Sequence, residues 1–182
     1  MARLWALLAA GSLALAAGGC SSVGGENDYE GADGAYVLWE DAERSAAIDA
    51  SGQTYSGETI DLAELRGAPV LINTWYAACP PCRAEAPDLA NLAAEHPSVT
   101  FLGLNNRDDE AAATAFERSF DIPYPTIADD DGSMLAALAG TVPLKAVPTT
   151  LVLDREGRPA ARFLGQIDPG VIDGILTDLE AE

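Results

Sequence analysis

The sequence predicts an α/β sandwich, a mixed central β-sheet flanked by helices, with an N-terminal β-hairpin extension. Three observations carry this. Apolar strand-like runs alternate with helical segments over residues 70–139, and a β-hairpin and a closing amphipathic helix follow over 149–179. With 182 residues, 48% apolar and 21% charged, the chain has the composition and the length of one globular domain plus appendages. That composition excludes whole-chain disorder and a multi-span membrane protein. The charge is one-sided: 10 basic against 29 acidic residues give −19, and Lys145 is the sole lysine. Such a field repels polyanions, so nucleic acid is not a partner, and self-repulsion favours a monomer.

The chain opens with an address. After a positive start that includes Arg3, residues 4–17 carry no charge. Fourteen helical residues reach ~21 Å against a hydrocarbon core of ~30 Å, so the run is too short to span and reads as a signal peptide over 1–19. The small residues Ala17, Gly18 and Gly19 before Cys20 resemble the lipobox of bacterial lipoproteins, in which the cysteine takes a lipid and becomes the new N-terminus; Ala17 stands where that motif most often has Leu. Plain secretion with Cys20 free is the alternative, but it leaves Cys20 without a task. Residues 20–35, rich in Gly, Ser, Asp and Glu, bury nothing and read as a lipidated flexible tether. The folded domain is then 36–182.

Within it, residues 36–39 and 46–48 read as short strands, followed by turns over 51–59. Residues 61–67 read as a brief helix, capped by Asp61, with Glu64 three residues on and Gly67 at its end. Residues 70–75 form a continuous apolar run, the pattern of a strand covered on both faces. Residues 79–96 are a helix with Leu89, Leu92 and Ala93 on its buried face and a kink expected at Pro87. A strand at 99–105, a helix at 109–120, a turn at 129–132 and a short helix at 133–139 follow. Strands at 149–154 and 160–165 make a hairpin around Gly157. Asp168-Pro169 opens a last helix, with Val171, Ile172, Ile175, Leu176 and Leu179 on one face.

The chemistry sits at Cys79-Pro80-Pro81-Cys82, just after a buried strand and just inside a helix. A helix N-terminus offers unpaired N–H groups and the positive end of the macrodipole, and both stabilise a thiolate. Cys79, nearest the end, is therefore expected to be the exposed nucleophile, and Cys82, about one turn further in, the resolving thiol that releases a mixed disulfide. Pro80 and Pro81 lack N–H groups, so two donors to the Cys79 sulfur are missing. A zinc site would need two more ligands, and only Cys20 and the single histidine, His96, are on offer; no metal is expected. An inert disulfide remains open on spacing alone, although so small a ring closes almost no chain.

The segments LINTWYAACPPCRAEAP and AVPTTLVLDREGR, with DLAELRGAPVL ahead of them, resemble the thioredoxin-fold oxidoreductases of the TlpA/ResA type, within the redoxin (AhpC/TSA-type) superfamily. The likeness runs from about Val37 to Leu179. It implies a thioredoxin-like fold and an extracytoplasmic thiol-disulfide oxidoreductase that needs no cofactor. Cys79 matches the family's attacking cysteine and Cys82 its resolving one. Val147-Pro148-Thr149 matches the segment in which the family has a cis-proline against the disulfide, which places the Val147 backbone as a pairing edge for an incoming peptide. Glu85 matches an acidic residue that many members place near the pair, suited to moving protons or tuning the thiols. Simpler roles stand beside these: Pro148 as a strand boundary, Glu85 as a first-turn acid, and Trp75 and Tyr76 as core packing. Residues 129–131 are similar to a calcium loop, but Gly140 falls where a bidentate Glu should close it, leaving a solvated turn.

Two departures matter. Ala78 precedes Cys79 where many members have Trp, and Asn73 stands where thioredoxin has a buried Asp, which shifts the proton-handling role toward Glu85. The resemblance further implies a reductase that draws electrons from a membrane donor and passes them to protein disulfides, with apocytochrome c as leading substrate. A disulfide-forming oxidant, a peroxiredoxin-like antioxidant and a copper-delivery lipoprotein are the alternatives. The last is disfavoured by two methionines and one histidine with no cluster of either.

Overall fold

The computed structural model describes residues 28–31, 34–143 and 145–182. The signal segment and Cys20 lie outside the described residues. In chain order the elements are β1 (Asp28–Gly31), β2 (Gly34–Leu38), a 3-10 turn (Asp41–Glu43), β3 (Ser51–Gln53), β4 (Thr59–Asp61), β5 (Val70–Thr74), α1 (Pro80–Glu95), β6 (Thr100–Asn105), α2 (Glu110–Ser119), β7 (Thr126–Ala128), α3 (Ser133–Ala137), β8 (Thr149–Leu153), β9 (Pro159–Leu164) and α4 (Pro169–Ala181). A seven-stranded sheet runs β1-β2-β9-β8-β5-β6-β7, with β3 and β4 as a separate pair. β5, β6 and β7 are parallel, and β8, β9, β2 and β1 each join antiparallel to the preceding neighbour. The sheet is mixed and helix-flanked, as expected.

The central strand β5 is buried along its whole length, and period-two alternation divides it between two cores. Leu71 packs with Leu89 and Leu92 of α1 and with Ile172, Leu176 and Leu179 of α4. Val70 and Ile72 face the other way, onto Leu104, Ile127, Met134, Leu138 and Leu151. Each such fully buried side chain stabilises the fold by about 1.5–3 kcal/mol relative to exposure. At the carboxyl end of β5 a third cluster holds Trp75, Cys79, Cys82, Ala86 and, from α2, Ala113 and Phe116. The helix α4 begins as expected: Asp168 Oδ1 accepts from the N–H groups of Gly170 (3.0 Å) and Val171 (3.2 Å).

Five expectations need correction. Residues 46–48 form no strand; Ile48 makes a single backbone bond to the Gly157 carbonyl (2.9 Å) and otherwise serves by packing. The two-stranded pair lies instead at β3 and β4, in the stretch read as turns, where Gly57 (φ 83°) and the Thr54 hydroxyl, which accepts from the Glu58 N–H, close the connection. Residues 62–67 are turns rather than a helix: Glu64 and Leu65 bond back three residues only, and a segment so short does not repay helix nucleation. β7 was not foreseen, because three residues behind Pro123 and Pro125 carry no periodic signal. Finally, β1 falls inside the stretch read as a tether. Backbone ladder bonds at an open sheet edge require no apolar side chains, so composition gives no sign of them. The helix α1 continues as one element through Pro87 to Glu95.

Candidate active site

β5 carries the chain into the site, and the turn at its end sets the start of α1. The Cys79 N–H donates to the Tyr76 carbonyl (3.1 Å), and Cys79 is the N-cap, in extended conformation (φ −77°, ψ 112°). Pro80 and Pro81 occupy the first helical positions, where an N–H has no intrahelical partner to lose. The first backbone N–H after them, that of Cys82, donates to Cys79 Sγ at 3.2 Å. The prolines thus leave one donor on the sulfur rather than three. Cys79 and Cys82 are joined as a disulfide, with Cα atoms 5.3 Å apart.

Cys79 was expected to be exposed, and it is not: it is 1% exposed and Cys82 2%. The pair sits in the third cluster with Trp75 and Phe116, and Tyr76, Ala77 and Val147 pack over it. Trp75 stacks on Phe116 with ring centroids 4.2 Å apart, a packing role, and Gly103 leaves the room for it, since a Cβ there would lie 2.7 Å from Trp75 Nε1. Tyr76 is half-buried under the Arg107 guanidinium, 4.6 Å from the ring centroid.

Val147–Pro148 is a cis peptide and lies beside the pair. Two elements fix the residues after it: the Thr149 N–H donates to Thr74 Oγ1 (2.8 Å) and the Gly165 N–H to the Pro148 carbonyl (2.9 Å). Among the described residues, neither the N–H nor the C=O of Val147 takes a backbone partner.

Glu85 is 0% exposed. Oε1 accepts from Asn73 Nδ2 (2.9 Å), Oε2 accepts from the Ile167 N–H (3.0 Å), and Asn73 Nδ2 also donates to Thr150 Oγ1 (3.0 Å). Burial pushes the Glu85 carboxyl up to about 7, partly offset by the hydrogen bonds from Asn73 and Ile167. Burial, with the nearby Glu85 carboxylate second, also raises the Tyr124 phenol. Glu85 is therefore an interior acid, not a first-turn acid at the surface. Asn73 was read only as a missing Asp, and its role as the partner of Glu85 is a pairing between β5 and α1 that spacing does not encode.

Other expectations meet different surroundings. His96, considered as a zinc ligand, caps the far end of α1 and bonds Glu180 and Asp173. Residues 129–131 are not simply a solvated turn: Asp129 is buried, and its two oxygens accept from the Met134 and Leu135 N–H groups at 2.9 Å each. Sequence reasoning also missed Asp108, whose Oδ2 accepts from the Ala77 N–H at 2.5 Å.

A family model described as Redoxin matches residues 43–178. Over 110 residues, 60% of the chain, the sequence is 34% identical to the thiol:disulfide interchange protein DsbE of Pseudomonas aeruginosa. Over 83 residues, 46% of the chain, it is 39% identical to the soluble secreted antigen MPT53 of Mycobacterium tuberculosis. The chain spans 58% of the first relative's length and 48% of the second's. Among solved structures, a secreted thiol-disulfide isomerase from Corynebacterium glutamicum is similar with TM-score 0.73 and 29% identity, covering 85% of this chain and 98% of that one. A secreted Mycobacterium tuberculosis disulfide oxidoreductase, homologous to Escherichia coli DsbE, is similar with TM-score 0.62 and 28% identity, covering 71% of this chain and 95% of that one. The fold is thioredoxin-like, with the mixed sheet and flanking helices of these neighbours.

Proposed function

The chain belongs to the Redoxin family, and on that premise we propose that it is an extracytoplasmic thiol-disulfide oxidoreductase working through Cys79 and Cys82. The observation that carries this is a cysteine pair at the N-cap of α1, its first sulfur accepting the Cys82 N–H, next to a Val147 backbone that has no backbone partner among the described residues. In the reducing direction, the Cys79 thiolate attacks one sulfur of a substrate disulfide. The Cys79–substrate bond forms as the substrate S–S bond breaks, and the departing thiolate takes a proton. The Cys82 thiol then loses its proton and attacks Cys79 Sγ, which closes Cys79–Cys82 and frees the second substrate thiol. Two electrons have passed to the substrate, and a membrane dithiol donor restores the pair.

Val147 and Pro148 supply the edge on which an extended substrate pairs. Glu85, buried at the second turn of α1 with a carboxyl titrating at about 7, is matched to accept and return the Cys82 proton near neutral pH. The relatives named as thiol:disulfide interchange proteins support exchange chemistry, and the resemblance to the TlpA/ResA type supports reduction, with apocytochrome c disulfides as the substrate class. The secreted relatives support an extracytoplasmic location, and a lipid on Cys20 after removal of 1–19 would hold the domain at the outer face of the plasma membrane.

A Cys82→Ser variant tests the reading, since it leaves Cys79 to attack but not to release. Mixed disulfides on Cys79 with extracytoplasmic proteins are the expected result. A wild-type protein that reduces no protein disulfide, with a Cys82→Ser form that captures none, overturns it. Direction is read from the reduction potential: a value near thioredoxin's, about −270 mV, fits a reductase, and one near −120 mV makes it an oxidant.

A further inference from the structure

We infer that Asp108, in the loop between β6 and α2, is a positioning residue for this exchange: its carboxylate holds the Ala77 peptide and, through it, the turn that delivers Cys79 to the start of α1. The inference deepens the proposed function and rests on it.

Side-chain packing holds the turn from Tyr76 to Cys79 chiefly at its two ends, through Tyr76 and Cys79. Its two central residues are alanines, Ala78 is exposed, and the turn itself is closed by the single bond from the Cys79 N–H to the Tyr76 carbonyl. The grip comes from outside and falls on the backbone of Ala77. Its N–H donates to Asp108 Oδ2 at 2.5 Å, and its carbonyl accepts from Arg83 Nη1 at 3.2 Å. An ionised acceptor makes the first of these about twice as strong as a neutral hydrogen bond.

Asp108 is itself held. Its Oδ2 also accepts from Asn105 Nδ2 (2.9 Å), and Asn105, fully buried at the end of β6, accepts at Oδ1 from the N–H groups of Arg107 (2.9 Å) and Asp108 (3.1 Å). The Tyr55 hydroxyl donates to the Asp108 carbonyl at 3.0 Å. Arg83 is anchored over the Phe120 and Phe116 rings, 5.0 and 5.9 Å from their centroids. Thus β6 and α1, the rigid elements on either side, clamp one peptide two residues before Cys79. Both substitution of the grip and loss of its charge can be made separately. Asn at position 108 retains a side-chain oxygen able to accept from Ala77 and Asn105 while removing the charge, whereas Ala removes the acceptor.

The test is stopped-flow exchange with a disulfide-bonded protein substrate, together with the pH profile of Cys79 alkylation by iodoacetamide in the reduced protein. Misplacing reacting atoms by about 1 Å costs up to ~100-fold, so Asp108→Ala is expected to slow exchange about tenfold. It should also move the alkylation midpoint upward, as Cys79 leaves the Cys82 N–H. Asp108→Asn, which keeps an acceptor but weakens the bond, should fall between wild type and Asp108→Ala in both rate and midpoint, nearer wild type. Arg83→Met, on an exposed side chain, should slow exchange in the same sense, and the double variant should lose less than the product of the two losses. If Asp108→Ala does not fold, Asp108→Ser, whose shorter side chain withdraws the acceptor from the Ala77 N–H, carries the test against the same rate and midpoint. Unchanged rate and midpoint in the variant that carries the test, or an Asp108→Asn variant as impaired as Asp108→Ala, overturns the inference. A wild-type protein that reduces no protein disulfide defeats the proposed function instead, and that is read first.

Discussion

The two ends of α1 each bury a titratable side chain against the α4 region, and they treat it in opposite ways. At the start, Glu85 is wholly enclosed, bonded to an amide and to a backbone N–H, with no cation on it among the described residues; burial pushes its carboxyl up to about 7. At the end, His96 is 5% exposed but lies between two carboxylates of α4, Glu180 (2.8 Å) and Asp173 (3.0 Å). Burial pulls the imidazole down, and the hydrogen bonds to Glu180 and then Asp173 outweigh it, so its pKa is raised. Ser98 donates to Glu180, and Arg155 donates to the Glu180 carbonyl at 2.7 Å, which fixes the partner in place. Burial alone therefore does not make a group reactive. Paired burial keeps a charge and ties two helices together, whereas unpaired burial leaves a proton easy to exchange near neutral pH.

The largest effect separates the ends by chemistry. Cys79→Ser should abolish disulfide exchange, while His96→Gln, at the opposite end of the same helix, should leave the exchange rate within about twofold. An exchange assay on both checks this, and a slow His96→Gln variant breaks the division. Next, Asn73→Asp sets a second carboxyl against Glu85. Like charges so close cannot both ionise, so the variant should lose about 3–5 kcal/mol at pH 8 and much less at pH 5, by urea unfolding.

Glu85→Gln probes the same end more gently. The folded-state pKa of Glu85 lies above its unfolded value, so ionisation opposes folding. Its contribution is fully present below about 4.5, and up to about 3 kcal/mol is lost as the pH rises from there through 7. Glu85→Gln should flatten stability across that window and flatten the pH profile of Cys82 reactivity; a profile unchanged from wild type removes Glu85 from proton handling. The smallest effect belongs to His96→Gln. A histidine whose pKa is raised on folding contributes stability that is whole below 6.5 and fades as the pH climbs through the folded value. The cost should therefore be about 1–2 kcal/mol at pH 6 and smaller at pH 9. Equal cost at both pH values would mean that packing, not charge, holds that end.

Much of the fold was legible because its signals are local. The apolar run at β5, the heptad-like spacing along α4 and the prolines after Cys79 are consequences of short-range sterics and of which face meets the core. The failures are also local in origin. β7 is three residues long behind two prolines, β1 pairs with β2 in a backbone ladder that composition does not announce, and the segment at 62–67 carries capping residues but too few turns to propagate a helix. At the site, the pair and its position on a helix start could be read directly, and the cis-proline segment came from the family resemblance. The burial of Cys79 could not, because Tyr76 and Ala77, Phe116, and Val147 converge on it from three separate stretches of chain.

That two cysteines stand at a helix N-terminus after a buried strand follows from the chain's own local pattern. Their surroundings come from long-range packing: Asn73 and the Ile167 N–H on Glu85, Asp108 on Ala77, and the carboxylates of α4 on His96. The reason is physical. A helix dipole and a thiol spacing are fixed by neighbours along the chain, whereas desolvation and charge pairing depend on residues brought together from 12 to 84 positions away.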